Sequence, residues 1–183
     1  MIRKALLGAL MVTLQACTSA PVDNETTDAA ECVGSTALPS AWADKFVAVD
    51  DPALLASSLG QPLEGKLCQG KVYQATEGVT VYRAWNSTNP HSQFGHWWAL
   101  SQPSGLVADY RQDYEICYQW SPLDKLVQCT LQPGAKVVVG NGQSAKCSEY
   151  LTYPTSSAQQ VYLQEAEQAV QHCQTFDAVL RWQ

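Results

Sequence analysis

The chain has no run of about twenty apolar residues, so no stretch of it is long enough to cross a bilayer as a helix. It has no C-x-x-C pair, and its three histidines (His91, His96 and His172) do not stand with cysteines at ligand spacing, which argues against a zinc site. Basic residues are few, 11 against 17 acidic, for a net charge of −6, and this gives no electrostatic reason to bind nucleic acid or an anionic membrane surface. The G-x-S-x-G elbow is missing, since Ser144 lies in Asn141-Gly142-Gln143-Ser144-Ala145 with no adjacent histidine. Gly140 and Gly142 are followed by no Walker lysine and complete no G-x-G-x-x-G, so they read as a turn and not as a phosphate loop. There is no internal repeat.

The N-terminus carries a positive signal. Arg3 and Lys4 precede an apolar stretch from Ala5 to Leu14, and Leu14-Gln15-Ala16-Cys17 closes it with a small residue before a cysteine. This order resembles the bacterial lipoprotein box, with Gln15 where a smaller residue is usual. The resemblance implies that residues 1–16 are a removed signal peptide and that Cys17 becomes a lipidated first residue, stably anchored by several acyl chains. Thr18 after the cysteine implies sorting to the outer membrane of the cell envelope. A plain signal peptide with a coincidental cysteine is the alternative. Cleavage leaves 167 of the 183 residues and, with Arg3 and Lys4 gone, a charge of −8. Residues 17–31 are small, polar and acidic and read as a flexible tether. Residues 32–183 are long enough for one domain with its own core.

Setting Cys17 aside leaves Cys32, Cys68, Cys117, Cys129, Cys147 and Cys173, an even number that predicts three disulfides in an oxidising compartment. Six cysteines allow 15 pairings. The polar turn Ser121-Pro122-Leu123-Asp124 between two of them favours Cys117–Cys129.

Pro39 and Asp51-Pro52 predict two short helices before Gly60. From there to residue 139 the pattern is of short strands: 71–74, 79–85, 96–100, 126–131 and 136–139, rich in β-branched and aromatic residues. Residues 103–114 read as a helix, with Ser104 as its cap. From Ser157 onward Tyr162, Ala166, Ala169, Val170, Cys173, Phe176 and Leu180 recur at three and four residues, which predicts a long C-terminal helix. The expected fold class is α+β: short N-terminal helices, a mixed or antiparallel β core and that long helix.

Val79-Thr80-Val81-Tyr82-Arg83-Ala84-Trp85 sets one arginine inside an apolar strand, where an unpaired charge is costly to bury. Arg83 therefore needs either a carboxylate, with Asp109 and Asp113 the candidates, or an anionic ligand. The succession Tyr82-Arg83, Gly95-His96-Trp97-Trp98, Tyr110-Arg111, Leu131-Gln132-Pro133-Gly134-Ala135-Lys136-Val137-Val138-Val139-Gly140 and Gln159-Gln160-Val161-Tyr162-Leu163 resembles the ADP-ribosyltransferase-like C-terminal domains of bacterial polymorphic toxins, over residues 79–163. That resemblance implies a split β core with a cleft for NAD, Arg83 on a phosphate or ribose, and Trp97 and Trp98 beneath the nicotinamide. It also implies a glutamate at the reacting ribose, where this chain has Tyr162. Gln160 and Glu149 are the substitutes in reach of that role, whereas Glu165 and Glu167 belong to the predicted helix. His91 and His96 flank Gly95 without a visible carboxylate partner. The second expectation is a non-catalytic envelope lipoprotein that binds a protein or a glycan through an aromatic surface built from its six Trp and eight Tyr. Whether residues 157–163 form a strand beside the Arg83 strand or continue the helix separates the two.

Overall fold

A computed structural model describes residues 31–178. The signal segment, Cys17, most of the tether and Leu180 lie outside the described residues. Short helix α1 (Ser40–Ala43) follows Pro39, and strand β1 (Phe46–Ala48) leads into helix α2 (Pro52–Ser58). Asp51 caps α2 by accepting from the Leu54 amide at 3.1 Å, with Pro52 in the first turn, as the Asp51-Pro52 pair predicts.

The strands follow as β2 (Leu67–Ala75), β3 (Val79–Trp85) and, after a 3₁₀ turn at Pro90–Phe94, β4 (Trp97–Trp98). Helix α3 (Val107–Asp113) falls within the predicted segment but starts later, with Leu106 and not Ser104 at its N-cap. Then come β5 (Lys125–Leu131), β6 (Lys136–Gly142), β7 (Ala145–Lys146), β8 (Thr152–Tyr153), β9 (Gln159–Tyr162), the single-turn α4 (Ala166–Ala169) and β10 (Val170–Asp177). The named strands pair antiparallel in three sheets, ordered β1-β2-β6-β9-β4, β10-β5-β3 and β7-β8.

The main core is filled from both larger sheets: Tyr73, Val79, Val81, Trp85, Val127, Leu131, Val137, Val139 and Val161 are all buried in one cluster. Val138 points the other way, into a second cluster with Leu54 and Leu67 beneath α2. That β6 has both faces covered explains why its Val137-Val138-Val139 run is continuous and not alternating. The two sheets meet where Tyr82 of β3 and Ala99, just past β4, exchange backbone hydrogen bonds of 2.9 and 2.8 Å.

The α+β class with a long C-terminal helix is not what forms. The protein is a mixed assembly of antiparallel sheets with few, short helices, and residues 157–178 supply two strands around one helical turn. The apolar spacing of that segment serves other partners. Val161 and Leu163 enter the core, Val170 lies opposite Leu131, and Cys173 is bonded to Cys129. Only Val170 of β10 is buried, so the helical periodicity is never used as a buried face. Gly140 and Gly142 likewise lie inside β6 and not in a turn. A side chain on Gly140 would approach Gln69 O to 2.0 Å, so glycine there permits the close approach of β2.

All six cysteines pair, as Cys32–Cys68, Cys117–Cys147 and Cys129–Cys173, at separations of 36, 30 and 44 residues. Loops of that length correspond to about 4 kcal/mol each of unfolded-state restriction. The expected Cys117–Cys129 bond does not form, because Cys129 lies within β5 and is taken by its neighbour β10 while Cys117 packs with Cys147 and Ala145. No helix among the described residues is long and apolar enough to cross a membrane.

Candidate functional site

Arg83 occupies the same phase of β3 as the buried residues Val79, Val81 and Trp85, so its side chain is directed inward by the alternation of the strand. Neither Asp109 nor Asp113 pairs with it. Its Nε donates to the carbonyl of Ser92 at 2.7 Å and its Nη1 to the carbonyl of Trp97 at 2.6 Å. Nη2 donates to no described residue. The guanidinium lies against Gly95, where a β-carbon would come within 2.3 Å of Nη2. Burial lowers its pKa to about 10, so it remains a cation at neutral pH, held by carbonyl dipoles and not by a counter-charge.

Arg83 forms part of the wall of a cavity of about 170 Å³. Trp97, Trp98 and Gln160 line the same cavity, so these three sequence-predicted residues and Arg83 are brought together although they come from three strands in two sheets. Trp98 is 2 % exposed and donates from its indole nitrogen to Gly95 O at 2.7 Å. Trp97 packs on Tyr162, ring centroids 5.0 Å apart. Tyr162, at the position where the family resemblance places a glutamate, is thus committed to an aromatic contact and does not line the cavity. Glu149 is exposed in the turn before β8, beside Tyr150, and also lies outside the cavity wall. Glu165 and Glu167 are exposed at the start of α4.

Helix α3 closes the cavity with two tyrosines one turn apart. Tyr110 and Tyr114 have ring centroids 4.6 Å apart, and burial raises both phenol pKa values. At the mouth stand the exposed side chains of Lys66 and of Trp120, the latter 53 % exposed.

The residue that sequence reasoning missed is Glu115. It follows α3 with φ of 47°, a left-handed conformation that a non-glycine residue adopts at a cost, and its side chain is 2 % exposed. Its Oε2 accepts from Gln160 Nε2 at 2.6 Å, and its Oε1 has no partner. Gly142 makes room for it: a β-carbon there would stand 1.8 Å from Oε2. Burial, with Asp113 nearby, outweighs the Gln160 hydrogen bond and raises the carboxyl pKa to about 9, so Glu115 is neutral at pH 7. The one sequence signal is an acid set between Tyr114 and Ile116-Cys117, and nothing in it points to Gln160 or Gly142.

The cavity therefore has a cation, a neutral carboxylic acid and an amide among aromatic faces. Within a protein of net charge −6, that local balance favours a ligand that is planar, acceptor-rich and anionic. The remaining sequence candidates do not line the cavity. His96 lies at 3.0 Å from Leu163 O, His91 is exposed, and Ser144 accepts from the Leu63 amide at 2.9 Å. Among the described residues no group of three or more His, Cys, Asp or Glu is placed to hold a metal. Comparison with protein-family models, with curated proteins and with solved structures finds no match for this chain.

Proposed function

We propose that this is a lipid-anchored cell-envelope protein whose domain, of the ADP-ribosyltransferase type, recognises NAD through the cavity around Arg83. The observation that carries the reading is the convergence of Arg83, Trp97, Trp98 and Gln160 on one cavity. Residues 159–162 form a strand and do not continue a helix, but that strand does not lie beside β3 as expected. That strand pairs with β4 and β6 and not directly with β3; the Tyr82–Ala99 bridge joins the two halves. A cavity of about 170 Å³ is smaller than the ~300–1,000 Å³ that encloses a drug-sized ligand, so it takes one ring-bearing end of NAD. The remainder of the dinucleotide then crosses the mouth, where Lys66 and Trp120 supply a charge for phosphate and a face for the adenine. Arg83 has the unused donors for the phosphate nearest the ring. Gln160 can hydrogen-bond a ribose hydroxyl but does not bring the negative charge a glutamate would place there, which makes recognition, and not efficient ADP-ribose transfer, the core of the proposal.

The test is thermal-shift or calorimetric titration of the purified protein with NAD, wild type against Arg83→Ala. Saturable stabilisation that the variant loses is expected; its absence in the wild type removes the NAD reading.

The exposed Tyr118 and Trp120, 59 % and 53 % accessible, favour a second reading in which the same end of the molecule stacks against a glycan or a protein partner. In that case Trp120→Ala weakens binding and Arg83→Ala does not. The anchor itself is tested by fatty-acid labelling in cells, with label expected on the wild type and none on Cys17→Ser.

A further inference from the structure

A carboxyl group that is almost wholly buried, shares one oxygen with an amide and leaves the other without a partner costs the fold stability with no compensation inside the protein. Yet three independent features keep Glu115 there. Its backbone is held at a positive φ, Gly142 is emptied of a side chain against its carboxyl, and Gln160 fixes Oε2 so that Oε1 is the free end. Glu115, Gln160 and Arg83 all line one cavity, and Oε1 itself has almost no accessible surface in the unliganded protein, so a ligand reaches it as the side chain turns toward the cavity. Residues placed at such expense are characteristic of sites that bind or react and not of sites that only pack.

We propose that Glu115 is a specificity-determining ligand contact, whose carboxyl donates a hydrogen bond from Oε1 to an oxygen acceptor on the buried end of the ligand. Gln160 orients it by donating to Oε2, and is a positioning residue for it. An ionised carboxylate would repel a ligand oxygen, and burial keeps the group protonated in the neutral range. Resting on the NAD reading, the acceptor is either the carboxamide oxygen of the nicotinamide or an oxygen of the adjacent phosphate. Both are oxygen acceptors, and they are separable by experiment.

The test combines infrared difference spectroscopy with binding. The protonated-carboxyl stretch of Glu115 is identified at neutral pH by its loss in Glu115→Gln, and is then followed on adding NAD, nicotinamide alone or inorganic phosphate alone. A shift of that band with NAD is expected, and whichever of the two smaller probes reproduces it identifies the acceptor. Glu115→Gln retains a donor and is expected to bind NAD within about three-fold of wild type, whereas Glu115→Met, of similar size, is expected to weaken it at least ten-fold. NAD binding to Glu115→Met at wild-type strength, or a band that none of the probes moves, overturns the inference. A band shifted by nicotinamide or phosphate in a protein without affinity for NAD keeps the inference and removes the NAD reading. Should Glu115→Met not fold, the band and Glu115→Gln decide.

Discussion

Replacing Glu115 with glutamine alters the pH dependence of stability in a way that can be worked out from the environment of this one carboxyl. In the unfolded chain the group titrates near 4.5, and in the fold burial raises it to about 9. Below pH 4.5 it is neutral in both states and costs nothing through ionisation. Between the two values the unfolded chain releases its proton while the folded protein keeps it, so stability falls as pH rises, by about 1.4 kcal/mol per unit. At pH 7 the loss is about 3 kcal/mol, and it levels off above pH 9. Glu115→Gln has no such slope. Its amide can accept from Gln160 in place of Oε2 and fits the space that Gly142 leaves. The groups around this position are Asp113 and the tyrosines Tyr110 and Tyr114 from α3, Gln160 from β9, Arg83 from β3 and Lys66 before β2. All of them are present in both proteins, so their titration largely cancels in the difference. The variant is therefore expected to match wild type near pH 4 and to be more stable by about 3 kcal/mol at pH 7. For a domain of this size that is roughly 6–12 °C in melting temperature. Paired thermal or urea unfolding from pH 4 to 9 measures it. A difference that is flat with pH, or one that is largest in acid, refutes the burial of a protonated Glu115.

Gly142→Ala forces a β-carbon to within 1.8 Å of the Glu115 carboxyl and is expected to destabilise by about 1–3 kcal/mol; adding Glu115→Ala should recover much of that, and strictly additive effects in a urea double-mutant cycle would refute the contact. Gly95→Ala places its β-carbon 2.3 Å from Arg83 Nη2, so the guanidinium must leave the Ser92 and Trp97 carbonyls; melting curves with and without NAD should show lower stability and a smaller ligand shift together. Peptide mapping of the non-reduced protein should yield Cys117 linked to Cys147 and Cys129 to Cys173, and the pair Cys129→Ser with Cys173→Ser should cost about 4 kcal/mol in unfolding experiments.

What could be read from the sequence was local. The cap and first-turn proline of α2 are neighbours in the chain, and the strands around Val79–Trp85 and Lys136–Gly142 announce themselves by β-branched runs. The C-terminal helix failed for a physical reason. Spacing at three and four residues predicts a helix only when the apolar side chains share one buried face. In residues 159–177 they are divided between the core, a ladder to β5 and a disulfide to Cys129. Arg83 was conspicuous because a charge interrupts an apolar strand. Its partners were not, since backbone carbonyls at Ser92 and Trp97 are indistinguishable in sequence from any others.

Glu115 was illegible for a stronger reason, one that also explains how the cavity exists at all. Its burial depends on a left-handed backbone after α3, on Gln160 forty-five residues away, and on the missing side chain of Gly142. The Arg83 guanidinium depends in the same manner on the missing side chain of Gly95. Two glycines on different segments thus leave space for two ionisable groups that line one cavity. Neither group is stabilised there by an opposite charge: burial lowers the pKa of the arginine and raises that of the acid. A fold selected for stability alone would place an apolar side chain at either position and regain the cost of desolvation. Keeping both, together with the glycines that make room for them, is accounted for if the missing partner of each arrives with the ligand: an anion for Arg83 and an oxygen acceptor for Glu115. The same ligand should then stabilise the protein through both contacts at once. Arg83→Ala and Glu115→Met are accordingly expected to be non-additive in NAD binding when they are combined.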